Sequence, residues 1–299
     1  MESQMSEAPA AQTVQTAQGE IEYSTYGEGT PVLIVHGTPG GFDQGAALAS
    51  FLPADRFKVI LVSRRGYLGT PLAGQTSIDS EADLLAALLD ELGIEKVGVV
   101  CWSGGGPASY RLAALHPARV SAIVALDAVS KKFEFEKISF ADHLALATSP
   151  GEWLLRVMAA HMPKAMIKST IAEEGDLSKK QLKDQVAEVF ADDAKRRFVL
   201  DLAVTATRGG ERKDGFDNDA ANFAAIDSLE LEKVTCPVLL VHGDVDTDVP
   251  PEYSAHAAEA LPDAELITLE AGTHICFYTS ADAASAQSRA IEFLRSSIR

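Results

Sequence analysis

Along the chain, short runs of consecutive apolar residues alternate with longer stretches in which apolar residues recur every three or four positions. The short runs predict strands over residues 21–26, 32–36, 59–62, 97–101, 122–127, 238–241 and 265–269. The inner ones, such as Val238-Leu239-Leu240-Val241, are apolar throughout, as a strand covered on both faces requires. The longer spacing predicts helices over residues 80–92, 108–115, 252–261 and 283–298. Strand and helix in this alternation predict an α/β fold: a mostly parallel central sheet with helices on both faces.

Two stretches break the pattern. Residues 1–17 are polar and rich in Ala, Gln and Thr, and are expected to form a flexible leader. Residues 130–233 contain no convincing strand and carry Trp153, Met158, Met162, Met166 and Phe190 among many charges. The strand pattern resumes at Pro237, so the expected organisation is one core, residues 18–129 and 234–299, interrupted by a helical cap over 130–233. Trp153 and the three methionines are spaced partly as a helix face, which predicts packing inside the cap, with an acyl-pocket role as the alternative.

Composition narrows the partners. The 299 residues are 46% hydrophobic and 23% charged, enough apolar material for a real core. Asp and Glu outnumber Lys and Arg by 43 to 26, for a net charge of −17, and such a surface repels nucleic-acid backbones and anionic headgroups. The expected partner is a small molecule, with neither nucleic acid nor membrane involved. No apolar run reaches the roughly 18 residues of a bilayer span, and residues 1–17, without a basic start or an apolar stretch, are expected to be no secretory signal. Cys101, Cys236 and Cys276 have neither a C-x-x-C pair nor metal-ligand spacing. They are expected to be reduced thiols in a cytoplasmic protein that needs no metal or organic cofactor.

The segment Val100-Cys101-Trp102-Ser103-Gly104-Gly105-Gly106 runs from an apolar strand through small residues into a helix. A strained strand-to-helix turn of this kind lifts a serine hydroxyl clear of the backbone as a nucleophile. The bland alternative is a serine that caps the next helix. Phosphate binding by the glycines is disfavoured, because no G-x-x-x-x-G-K or G-x-G-x-x-G spacing occurs.

A serine nucleophile needs an acid and a histidine, and both follow in that chain order. Asp244, Asp246 and Asp248 lie in the loop after the strand at 238–241, and His274 follows the strand ending at Leu269. The three aspartates imitate the start of a calcium loop, but Val249 and Ala255 stand where its glycine and bidentate glutamate are required. His274 could otherwise be a surface loop histidine. After the strand at 32–36, the turn Gly37-Thr38-Pro39-Gly40-Gly41 offers backbone amides, and Thr38 N–H with Gly104 N–H forms the expected oxyanion pair.

Together these segments resemble the α/β-hydrolase superfamily, in its serine-nucleophile group with a helical cap. The resemblance covers residues 21–127 and 237–298. His36-Gly37-Thr38-Pro39-Gly40 looks like its oxyanion loop, Cys101 to Gly105 its elbow, Gly243 to Pro250 its acid loop and Gly272-Thr273-His274 its histidine loop. It implies Ser103, Asp246 and His274 as the triad, with Asp127 as a rival acid at the end of an earlier strand. Cys101 stands where the elbow usually has glycine, and Ser63 and Leu68 depart from the family pattern in Ser63-Arg64-Arg65-Gly66-Tyr67-Leu68-Gly69-Thr70. The expected activity is hydrolysis of small or medium-sized carboxylic esters through an acyl-enzyme. Acyl transfer or perhydrolysis by the same triad, and a non-catalytic ligand-binding receptor, are the alternatives. Oligomeric state is left open.

Overall fold

The apolar runs form the middle of one eight-stranded sheet. The computed structural model describes residues 10–135, 149–206 and 209–297. Its strands are β1 (Gln12–Thr16), β2 (Gly19–Tyr26), β3 (Thr30–Val35), β4 (Phe57–Val62), β5 (Val97–Trp102), β6 (Val120–Leu126), β7 (Val238–Gly243) and β8 (Ala264–Leu269). They lie in the order β1-β2-β4-β3-β5-β6-β7-β8. The β1–β2 and β2–β4 pairs are antiparallel and the others parallel.

In chain order the helices among the described residues are α1 (Phe42–Leu48), α2 (Ile78–Glu91), α3 (Gly106–Leu115), α4 (Ser149–His161), α5 (Pro163–Glu173), α6 (Lys179–Ala191), α7 (Asp193–Thr205), α8 (Lys213–Ala224), α9 (Glu252–Ala260), α10 (Cys276–Thr279) and α11 (Ala283–Ser297). Side-chain alternation along the strands divides the core in two. Leu33 and Val35 of β3 face the cluster built with α2, α3 and α9, whereas Val32 and Ile34 face the cluster built with α1 and α11. Helix α2 shows why a helix forms where it does. Ser77 accepts the Ser80 N–H at its start, Asp79 and Glu81 sit in its first turn, and Leu84, Leu85, Leu88 and Leu89 supply one buried face. Each such leucine contributes about 1.5–3 kcal/mol by leaving water.

The leader expectation needs correction. Gln12–Thr16 is a strand, paired with β2 in the register Val14↔Ile21, and Thr16 Oγ1 donates to Gly19 O at 2.8 Å. It lies at the edge of the sheet, where half-buried Val14 packs on the core and Thr16 is buried. Residues 1–9 lie outside the described residues.

Between β6 and β7 the described chain is helical, α4 to α8. Ile167, Ile171, Val189, Phe198 and Leu202 join the α1/α11 side of the core, and the Phe198 ring stacks on Tyr278 with centroids 3.6 Å apart. Of the residues expected to pack inside this segment, Met166 is buried and Met158 half-buried. Trp153 and Met162 are 66% and 56% exposed, so their helical spacing does not mark a packed face. No helix among the described residues is long and apolar enough to cross a membrane. The three cysteines are buried and unbridged.

Candidate active site

Strands β3 and β5 are neighbours, but the chain leaves β3 for β4 on one side and β5 for β6 on the other. The connections diverge and leave a crevice at the strand carboxyl ends. The register Val35↔Cys101 sets the turn after β3 against the turn after β5, so Gly37 lies against Ser103 and Thr38 against Gly104. Ser103 has φ of 53°, a left-handed conformation that costs a non-glycine residue about 1–2 kcal/mol. It opens a short 3-10 turn, Ser103–Gly105, that leads into α3. Tight approach explains the glycines: a Cβ on Gly104 would overlap Thr38 Oγ1, and one on Gly105 would sit 2.5 Å from Val35 O. Among the described residues the N–H groups of Thr38 and Gly104 find no acceptor. A cavity of about 370 Å³ opens over Thr38, Ser103 and Gly104, walled by Phe133, Phe135, Phe223 and Tyr253. A larger one of about 780 Å³ lies elsewhere, against Phe51, Phe198 and Tyr278, and includes none of the expected site residues.

Asp246 is held by its own loop, its Oδ1 accepting the N–H groups of Asp248 and Val249 at 2.9 and 3.0 Å. Its Oδ2 accepts from His274 Nδ1 at 2.7 Å and lies 3.2 Å from His242 Nε2. Burial alone would raise the Asp246 carboxyl, but the two imidazoles outweigh it and hold the pKa below the usual 3.8. The rival Asp127 is fully buried nearby, at φ of 45°. Its Oδ1 accepts Gly243 N–H at 3.0 Å and lies 3.6 Å from Cys276 Sγ. Burial and the neighbouring Asp246 push Asp127 up to about 7. The carboxylate bonded to His274 is therefore that of Asp246.

The acid and histidine loops touch through glycine. A Cβ on Gly243 would overlap the Gly272 carbonyl and lie 2.7 Å from Thr273 O, both backbone atoms that cannot swing aside. Gly243→Ala is expected to cost about 2–3 kcal/mol of stability, read as a lowered urea midpoint at unchanged slope; an unshifted midpoint would mean the loops separate freely. Trp102 ties the elbow to the histidine loop, its Nε1 donating to His274 O at 3.0 Å and its ring 4.9 Å from the imidazole. No hydrogen bond joins the Ser103 hydroxyl to His274 among the described residues; in unliganded sites such bonds often tighten only with substrate.

Three participants carried no sequence signal. Glu174, at the end of α5, accepts His274 N–H on its carbonyl at 2.9 Å. Its Oε2 is buried without a partner, and burial with Asp248 beside it pushes its pKa well above the usual 4.5. Arg64 and Asp219, 155 residues apart, form a buried ion pair at 2.6 Å beneath the turn that holds Thr38. Among the described residues two groups have ligand-type atoms within 4.8 Å of one another: Asp127, Asp246 and His274, and Glu174, Asp248 and His274. In the first, Asp246 and His274 are already bonded to each other. The second gathers carboxyls round the same imidazole, and its evident consequence is electrostatic.

An eight-stranded, mostly parallel sheet with an acid–histidine pair and a strained serine at its carboxyl end is the arrangement of an α/β hydrolase. The alpha/beta hydrolase fold family matches residues 30–281, and the chain belongs to that family. It is similar to a solved alpha/beta hydrolase fold protein from Nakamurella multipartita, at 49% identity and a TM-score of 0.94 over 96% of this chain and 99% of that one. It is 27% identical to the uncharacterized hydrolase YcgS of Bacillus subtilis, over 95% of this chain and 98% of the relative. With the 2-hydroxymuconate semialdehyde hydrolase of Pseudomonas putida it shares 28% identity over 80% of this chain and 79% of that protein.

Proposed function

We propose that the chain is a serine hydrolase that cleaves carboxylic esters of small or medium-sized molecules through an acyl-enzyme. The observation that carries this is the 2.7 Å bond from His274 Nδ1 to Asp246, with Ser103 and two amides that find no acceptor among the described residues at the end of the same sheet. Ser103 Oγ attacks the ester carbonyl while His274 Nε2 takes its proton. Asp246 holds Nδ1 protonated, so that Nε2 is the free acceptor. The Thr38 and Gly104 amides stabilise the oxyanion, each by roughly 3 kcal/mol in a dry site. His274 then protonates the leaving alkoxide, and finally activates water to release the acid and restore Ser103. Hydrolysis also fits the similarity to the Pseudomonas putida relative, itself a hydrolase. Residues 130–233 are the proposed cap, whose Phe223 forms part of the cavity wall.

Fluorophosphonate labelling followed by intact-protein mass, together with turnover of a panel of p-nitrophenyl esters, tests the proposal. One adduct per chain with ester turnover is expected, and neither in a folded sample would point to a ligand-binding protein instead. Adding a competing alcohol separates water from alcohol as the acyl acceptor.

The pH profile carries a signature of the carboxyls round His274. Burial by itself lowers the pKa of the imidazole, but Asp246, Asp248 and Glu174 outweigh it and push it from 6.5 up to about 10. Only neutral imidazole acts as the base, so kcat/KM is expected to go on rising well above pH 6.5. Asp248→Asn removes one of the raising charges and is expected to move that limb to lower pH. A wild-type midpoint at the ordinary histidine value would contradict this electrostatic picture.

A further inference from the structure

We infer that Asp219, on α8, is a positioning residue that aims the Thr38 amide at the oxyanion, so that the inserted helices help to build the reacting site. This rests on the serine-hydrolase proposal and adds a residue to it.

Asp219 is 4% exposed and accepts four hydrogen bonds: from Thr38 Oγ1 at 2.5 Å, Tyr67 OH at 2.7 Å, Arg64 Nη1 at 2.9 Å and Arg64 Nη2 at 2.6 Å. Arg64, itself 2% exposed, extends the grip along the turn. It donates to Thr38 Oγ1 at 2.8 Å, Gly37 O at 3.0 Å and His36 O at 3.2 Å. The Thr38 hydroxyl thus gives its proton to Asp219 and takes one from Arg64, which leaves its side chain one orientation.

Other groups of the turn are held as well. His36 Nε2 accepts Arg64 N–H at 2.9 Å, and burial with the Arg64 charge keeps this imidazole neutral, its pKa well below 6.5. Gly37 N–H goes to Gln44 Oε1 at 2.9 Å, and Gln44 Nε2 returns to Pro39 O at 2.8 Å. Thr38 N–H finds no acceptor among the described residues and stays available to a ligand. One helical turn beyond Asp219, Phe223 lies against Gly104, where a Cβ would come 3.1 Å from its ring. Helix α8 therefore touches the residues of both proposed oxyanion donors.

A buried ion pair adds little net stability compared with apolar packing, so stability alone is a poor reason for one here. Its geometry suits positioning: a bidentate guanidinium and a threonine hydroxyl locked under one amide. Misplacing an amide by about 1 Å costs roughly a hundredfold in rate, because its hydrogen bond counts most when charge develops on the oxygen.

The test compares wild type, Asp219→Asn, Thr38→Val and the double variant on a p-nitrophenyl ester. Each single variant is expected to lower kcat about 10- to 100-fold at a nearly constant KM, and the double variant is expected to be no worse than the poorer single. Affinity for trifluoroacetophenone, which forms an oxyanion adduct with an active serine, is expected to fall in proportion to kcat/KM. If Asp219→Asn does not fold, the Thr38→Val split decides. Wild type that neither turns over ester nor takes fluorophosphonate overturns the serine-hydrolase proposal, and this inference with it. Active wild type with unchanged kcat in the variants, additive losses in the double variant, or unaltered ketone affinity overturns the Asp219 role alone.

Discussion

Ser103→Ala is expected to lower kcat by roughly a millionfold, to the residue of rate that oriented amides and binding supply without a nucleophile. The fold is expected to survive intact. Ser103 is 8% exposed, and its hydroxyl makes no hydrogen bond among the described residues, so removing it leaves no buried partner stranded. The φ of 53° strains alanine as it strains serine, and the backbone bond from Val129 N–H to Ser103 O at 3.0 Å is kept. Unfolding midpoints should therefore coincide while turnover and fluorophosphonate labelling vanish. Retained turnover would remove Ser103 from the mechanism.

The second large effect separates two buried carboxyls. Asp246→Asn is expected to lower kcat about ten-thousandfold, because an amide that offers N–H to His274 favours the wrong tautomer. Asp127→Asn should be mild, at most about tenfold, since Asp127 spends its oxygens on Gly243 N–H and Cys276 and makes no hydrogen bond to His274 among the described residues. A neutral amide oxygen still accepts the Gly243 N–H. Kinetics of the two variants at one pH above 8 rank them, and the opposite order would transfer the acid role to Asp127.

The sheet was legible because its inner strands lie covered on both faces, and that burial demands unbroken apolar runs. β1 escaped for the converse reason: an edge strand of Gln, Thr and one Val gains its order from backbone pairing, which leaves no apolar pattern to read. Ser103, Asp246 and His274 could be singled out because each follows a strand, where the turn constrains neighbouring residues into recognisable motifs. Asp219 and Glu174 had no such frame. They sit on and beside helices of the inserted segment, where any exposed acid looks the same, and only the tertiary fold brings Asp219 to Arg64. In Ser63–Thr70 the departures at Ser63 and Leu68 catch the eye, whereas Arg64 between them is a centre of the buried network.

The inserted segment is fastened to the body at its functional edges. Gly175 forms a bridge with Asp246 on one side, while on the other Arg212 bonds Gly40 O and Asp43, and Asp219 bonds Arg64. Grafting a relative's segment between β6 and β7 would sever the joint at the turn that holds Thr38 and leave Arg64 a buried charge without its counterion. Arg64, Asp43 and Tyr67 would have to travel with the graft, although in the sequence they lie before β5, far from either crossover point. A graft that keeps the body's turn in place is thus expected to need a set of discontinuous positions rather than one contiguous segment.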